Sequence, residues 1–143
     1  MTLIIDAAPM VAAADRKDPL GPTVARMLRD EAGELVIPAP VTAEVDYLLG
    51  RRLGRSARLA FLDDLAGGRF RVACLEVDDH GVVATLERRY ADLDAGLADL
   101  SVVVAAAKFS THRLLTFDER HFRALRPLDG GRFTVLPSDE PAR

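Results

Sequence analysis

This 143-residue sequence predicts an α/β fold, a three-layer α/β/α sandwich around a mostly parallel central sheet. Two observations carry that expectation. Short apolar runs rich in Val, Ile and Leu read as buried strands, and the stretches between them place apolar residues at helical spacing. Strand–helix alternation of this kind covers a parallel sheet with helices on both faces.

Thr2–Ile5 is the first strand, ended by Asp6. A helix follows from Gly21 to Ala32, where Val24, Met27 and Leu28 share one face and Gly33 is the C-terminal stop. Leu35–Ile37 is the second strand, stopped by Pro38. Pro40 stands near the start of the next helix, where its missing N–H costs nothing. That helix runs through Val41, Val45, Leu48 and Leu49 to a break at Gly50 or Gly54. Ser56–Ala66 is a further helix closed by Gly67 and Gly68, and Phe70–Cys74 is the third strand. Asp78 and Asp79 open a helix that reaches Tyr90, and residues 91–98, rich in Asp and Gly, form a loop. Asp99 is expected to cap the helix Leu100–Phe109, which is apolar on nearly every side and therefore central. Arg113–Thr116 is the fourth strand, Asp118–Leu125 a short helix, and Phe133–Leu136 an edge strand before a polar tail from about residue 137.

No repeat, low-complexity tract or linker divides the chain, so residues 1–143 are expected to form one domain of ordinary size. The hydrophobic fraction of 49% and charged fraction of 29% are those of a soluble globular protein. Cys74 is the single cysteine, and Val72, Ala73 and Leu75 around it point to a buried strand in a reducing, cytoplasmic setting. No cationic segment precedes the N-terminal apolar run, which Asp6 interrupts. No apolar stretch is long enough to span a bilayer. The net charge of −3 argues against a generic nucleic-acid binder but leaves room for a local basic patch beside an acidic centre.

Four acids define the candidate site. Asp6 ends the first strand and Asp118 follows the fourth, so parallel strands put both on the carboxyl edge, where sites in such folds gather. Asp99 at the start of one helix and Glu44 one turn into another can join them from that edge. Two carboxylates about 4 Å apart repel by on the order of 1 kcal/mol in water and about 4 kcal/mol at an effective dielectric near 20. A divalent cation would neutralise them, and an oxygen-only donor set suits Mg²⁺ or Mn²⁺ over Zn²⁺. Each acid also has a plainer reading. Asp99 and Asp118 suit helix N-caps and Glu44 suits a solvated helix face, whereas Asp6 has little structural work to do at a strand end.

Taken together, strand-Asp6, Pro40-Val41-Thr42-Ala43-Glu44, Ala98-Asp99-Leu100-Ser101 and Leu115-Thr116-Phe117-Asp118 resemble the PIN-domain signature in order and spacing. Arg88–Leu93 through Val103, and Thr116–Phe122, are similar to the VapC-type toxins of bacterial toxin–antitoxin operons. The similarity runs from Leu3 to about Leu136. It implies a Mg²⁺- or Mn²⁺-dependent endoribonuclease that cleaves structured RNA, is restrained by an antitoxin, and is commonly a homodimer. It makes Asp6 and Asp99 the principal metal ligands. Glu44 and Asp118 complete the acidic pocket, and Thr116 supports it by hydrogen bonding. The sequence departs from the family where Ala7 and Ala8 replace the Ser, Thr or Asn that usually follows the first Asp. A catalytically weak PIN-like module binding RNA or protein is the alternative. Asp94, Asp92 and Asp46 rank below Asp99 and Glu44 as ligands, Asp94 first among them.

The basic run Arg51, Arg52 and Arg55, with Arg58, can contact RNA phosphates, and Arg120 and Arg123 can steer RNA toward the metal. Few aromatics are available for stacking, which favours recognition of RNA shape. His80, His112 and His121 lack metal-site or triad spacing and read as surface or capping residues. No phosphate-binding glycine loop is present. The outer parts of Tyr47-Leu48-Leu49 and Leu59–Leu62 can form a groove for a dimer partner or for an amphipathic antitoxin helix.

Overall fold

The computed structural model describes residues 1–142. Its strands are β1 (Leu3–Ile5), β2 (Leu35–Pro38), β3 (Arg71–Ala73), β4 (Arg113–Leu115) and β5 (Thr134–Leu136). They form one sheet in the order β3-β2-β1-β4-β5, every neighbouring pair parallel. The helices are α1 (Ala7–Ala14), α2 (Gly21–Asp30), α3 (Ala39–Arg52), α4 (Arg55–Ala66), α5 (Val77–Arg89), α6 (Leu97–Lys108) and α7 (Glu119–Ala124). The predicted α/β/α sandwich is thus the observed fold. Among the described residues no helix is long and apolar enough to cross a membrane.

Apolar composition decides which strands are central. Ile4, Ile5, Val36, Ile37, Leu114 and Leu115, on β1, β2 and β4, are completely buried. Burying such a side chain contributes about 1.5–3 kcal/mol. α6 is buried continuously from Leu100 to Ala106, as an all-round apolar helix must be. Its expected start is corrected: the helix begins at Leu97, Gly96 is the N-cap, and Asp99 lies inside the first turn. The preceding loop contains a single 3₁₀ turn at Ala91–Leu93. Cys74 is also corrected. It lies just past the end of β3 and is exposed, because β3 is an edge strand with a neighbour on one side only.

Nothing in the sequence pattern points to α1, which is Ala-rich and buried on several sides, so it has no amphipathic period to read. Pro9 in its first turn costs no hydrogen bond. α3 continues through Gly50 to Arg52 with Leu53 as its C-cap, and Gly54 turns the chain into α4 at φ 96°, a conformation glycine adopts freely. Gly50 lies against the Arg58 guanidinium, a flexible and partly exposed group that could swing aside for a side chain there.

The chain starts at the centre of the sheet, adds β2 and β3 on one side, then returns to add β4 and β5 on the other. The order therefore reverses between β1 and β4. In open parallel sheets the crevice outside the carboxyl ends at such a reversal is the natural place for a site. Ile5 pairs with Leu115, so Asp6 and Thr116 emerge side by side at that crevice.

Candidate metal centre

Asp6 is buried at 7% exposure and has three bonds. Its backbone N–H donates to the Leu115 carbonyl at 2.9 Å, Oδ1 accepts from the Ala7 N–H at 2.8 Å, and Oδ2 accepts from the Thr116 hydroxyl at 2.7 Å. It is therefore the N-cap of α1, which corrects the expectation that it has little structural work. Thr116 accepts in turn from the Asp118 N–H at 3.0 Å, and Asp118 caps α7 by accepting from the His121 N–H at 2.9 Å. One chain of hydrogen bonds thus joins positions 6, 116, 118 and 121. The Ala7-Ala8 departure leaves Asp6 bonded all the same, through the Ala7 backbone and the Thr116 hydroxyl.

Asp99 reaches this chain from the first turn of α6. The His121 ring lies between the acids, with Nδ1 2.7 Å from Asp118 Oδ2 and 3.0 Å from Asp99 Oδ2, and Nε2 3.0 Å from the Leu93 carbonyl. The reading of His121 as a surface or capping residue is therefore overturned. The signal available in the sequence was its position three residues after an N-cap Asp, which sets the two side chains on one helical face. His80 and His112 do match that reading. His80 sits over the Glu76 carbonyl at the start of α5, and His112 pairs with exposed Asp129.

Electrostatics ties in the fourth acid. Burial pushes the Asp6 carboxyl above its ordinary range despite the bonds from Thr116 and Ala7, and the Asp118 charge adds to the rise. Burial also raises Asp99, with Asp6 and Asp118 reinforcing it against His121. Glu44 from α3 is raised by burial and then by the charges of Asp6 and Asp99, so it faces the same spot. Ionising all of them together is unfavourable without a cation. The fit to one is good: ligand atoms of Asp99, Asp118 and His121 all lie within 4.8 Å of one another. Asp6 and Thr116 join this group through hydrogen bonds and Glu44 through its electrostatic coupling to Asp6 and Asp99, while the close set of ligand atoms itself comes from Asp99, Asp118 and His121.

The other candidates are exposed or paired elsewhere. Asp92 and Asp94 are exposed, Asp94 in a left-handed turn at φ 55°, and Asp46 pairs with Arg58 at 3.3 Å. Arg58 and Arg123 are engaged, the latter by Asp139 and Glu119. Arg51, Arg52 and Arg55 are exposed and, among the described residues, make no ion pair. Arg51 and Arg52 lie about 10–12 Å along the α3 direction beyond Glu44 at 1.5 Å per residue. Arg120, exposed and without an ion pair among the described residues, is adjacent in sequence to His121.

Known proteins resemble this chain in sequence and in fold. Residues 3–126 match the PIN domain. The chain is 40% identical to Ribonuclease VapC26 of Mycobacterium tuberculosis over 135 residues, covering 94% of this chain and 100% of that one. Similar folds include M. tuberculosis VapC20, described as a sarcin-ricin loop cleaving toxin, with a TM-score of 0.75 and 19% identity over 81% of this chain and 89% of that one. Another is VapBC2 from Rickettsia felis bound to a DNA fragment from its promoter, with a TM-score of 0.66 and 16% identity over 94% and 98% of the two chains. FitAcB from Neisseria gonorrhoeae has a TM-score of 0.66 and 17% identity over 92% and 96%.

Proposed function

The chain belongs to the PIN-domain family and is of the VapC type, and from that premise we propose that it is a Mg²⁺-dependent endoribonuclease cleaving structured RNA, the toxin of a toxin–antitoxin pair. The observation that carries this reading is the hydrogen-bonded run Asp6–Thr116–Asp118 at the β1/β4 crevice, with Asp99 facing it through His121. Asp6, Asp99 and Asp118 would hold the cation, with Glu44 beside them. A bound Mg²⁺ or Mn²⁺ would make a water more acidic and offset charge on the scissile phosphate. Glu44 has no hydrogen bond of its own among the described residues, so its carboxylate is free to take a proton from the attacking water. Thr116 keeps the Asp6 carboxylate aimed. Arg120 beside the centre and Arg51, Arg52 and Arg55 farther out contact RNA phosphates.

For the antitoxin, the structure offers a hollow of about 400 Å³ among α1, α2, α3 and α4, lined by Met10, Ala13, Leu28, Leu49, Ala57 and Phe61. Tyr47, Leu59 and Leu62 are exposed on the same helices. An amphipathic helix laying its apolar face there is the expected contact, and a homodimer is the expected assembly. The decisive experiment is cleavage of a folded RNA by the purified chain with Mg²⁺, Mn²⁺ or a chelator. Cleavage should need the metal and be abolished in Asp6→Asn and Asp99→Asn proteins that keep their circular dichroism. Undiminished cleavage by either variant sinks the reading.

A further inference from the structure

We propose that His121 is itself a ligand of this centre, giving it a mixed nitrogen–oxygen donor set that holds Mn²⁺ more tightly than the four acids alone would. The proposal rests on the metal-dependent reading above and adds to it a ligand outside the four acids.

Three observations carry it. Donors about 2.1 Å from an octahedral ion and adjacent on its shell lie roughly 3 Å apart. His121 Nδ1 stands 2.7 Å from Asp118 Oδ2 and 3.0 Å from Asp99 Oδ2, the spacing of neighbouring corners on such a shell. The ring is also pinned. Leu93 offers a carbonyl, which can only accept, so Nε2 donates in that 3.0 Å bond and Nδ1 faces the acids, where a cation would take the place of the hydrogen shared with their carboxylates. A ring nitrogen donating to a backbone carbonyl is how a metal-bound histidine is usually oriented. Finally, the side chain is only 14% exposed, and α7 and the 3₁₀ turn hold it from both sides. Imidazole nitrogen binds transition ions well, whereas Mg²⁺ favours oxygen donors.

The test loads the full chain with Mn²⁺ and reads nitrogen coupling to the bound ion by pulsed electron paramagnetic resonance. Calorimetry compares Mn²⁺ with Mg²⁺ in the same protein. The expected result is a ¹⁴N coupling that becomes a ¹⁵N coupling when histidine is isotopically labelled. His121→Gln should lose that coupling and at least roughly tenfold in Mn²⁺ affinity, with a smaller loss for Mg²⁺. Bound Mn²⁺ without nitrogen coupling in the wild-type chain overturns this inference alone, and means that His121 merely bridges two carboxylates. A wild-type chain that binds neither ion overturns the metal-dependent reading with it. Because the labelled wild-type protein decides the matter, misfolding of His121→Gln does not shelter the proposal.

Discussion

Thr116 serves two neighbours with one hydroxyl, donating to Asp6 and accepting from the Asp118 N–H. Thr116→Val keeps the shape but leaves both partners unsatisfied in a buried place, at about 1–3 kcal/mol for each. The expected result is a lower urea midpoint and weaker metal binding, with Thr116→Ser restoring most of both. Asp6 gives the opposite sign. Its carboxyl is raised by burial, so the ionised form strains the metal-free fold. Asn caps a helix as well as Asp does. Asp6→Asn should therefore raise the melting temperature of metal-free protein at pH 7 while eliminating cleavage. A lower melting temperature would show that the hydrogen bonds outweigh the burial of charge.

Among the elements, α3 and α4 carry the basic run past the far side of Glu44, which separates their effect from that of the acids. Replacing Arg51, Arg52 and Arg55 with Ala should raise KM with little change in kcat. The salt dependence of RNA binding should flatten by roughly one unit of slope for each phosphate no longer neutralised. A fall in kcat alone would mean that these residues reach the centre. Element boundaries were readable where side chains alternate in character, as in α2, with its buried Val24 and Leu28 on one face, and in the apolar strands β1 and β2. α1 was not readable, because an Ala-rich helix buried on several sides lacks the contrast that periodicity needs. Nor could Cys74 be placed, because its exposure depends on β3 lying at an edge, a fact of strand order.

For the whole molecule, the raised carboxyls set a pH dependence. With Asp6, Asp99 and Glu44 all above their ordinary values, the folded metal-free protein binds more protons than the unfolded chain just above the usual carboxylate range. The stability they lend is complete below that range and is lost as pH rises through their raised values. A divalent ion selects the ionised forms, so the rise in melting temperature on adding Mn²⁺ should grow from acidic toward neutral pH. At a free ion concentration of 100 times Kd that gain is about 2.7 kcal/mol. A gain independent of pH would place the ion elsewhere. The acids themselves were legible because strand ends and helix starts show in sequence. His121 was legible only in part: its place three residues after Asp118 shows in sequence, but its partners Asp99 and Leu93 lie 22 and 28 residues away.

The reversal of strand order between β1 and β4 has a consequence for synthesis. Asp6 leaves the ribosome first, but the strand that sets Thr116 and Asp118 beside it is made more than a hundred residues later. A chain made only as far as α4 holds no acid centre, because Asp99, Thr116 and Asp118 are still to come. The acid centre comes into being only once β4 has been made and laid beside β1.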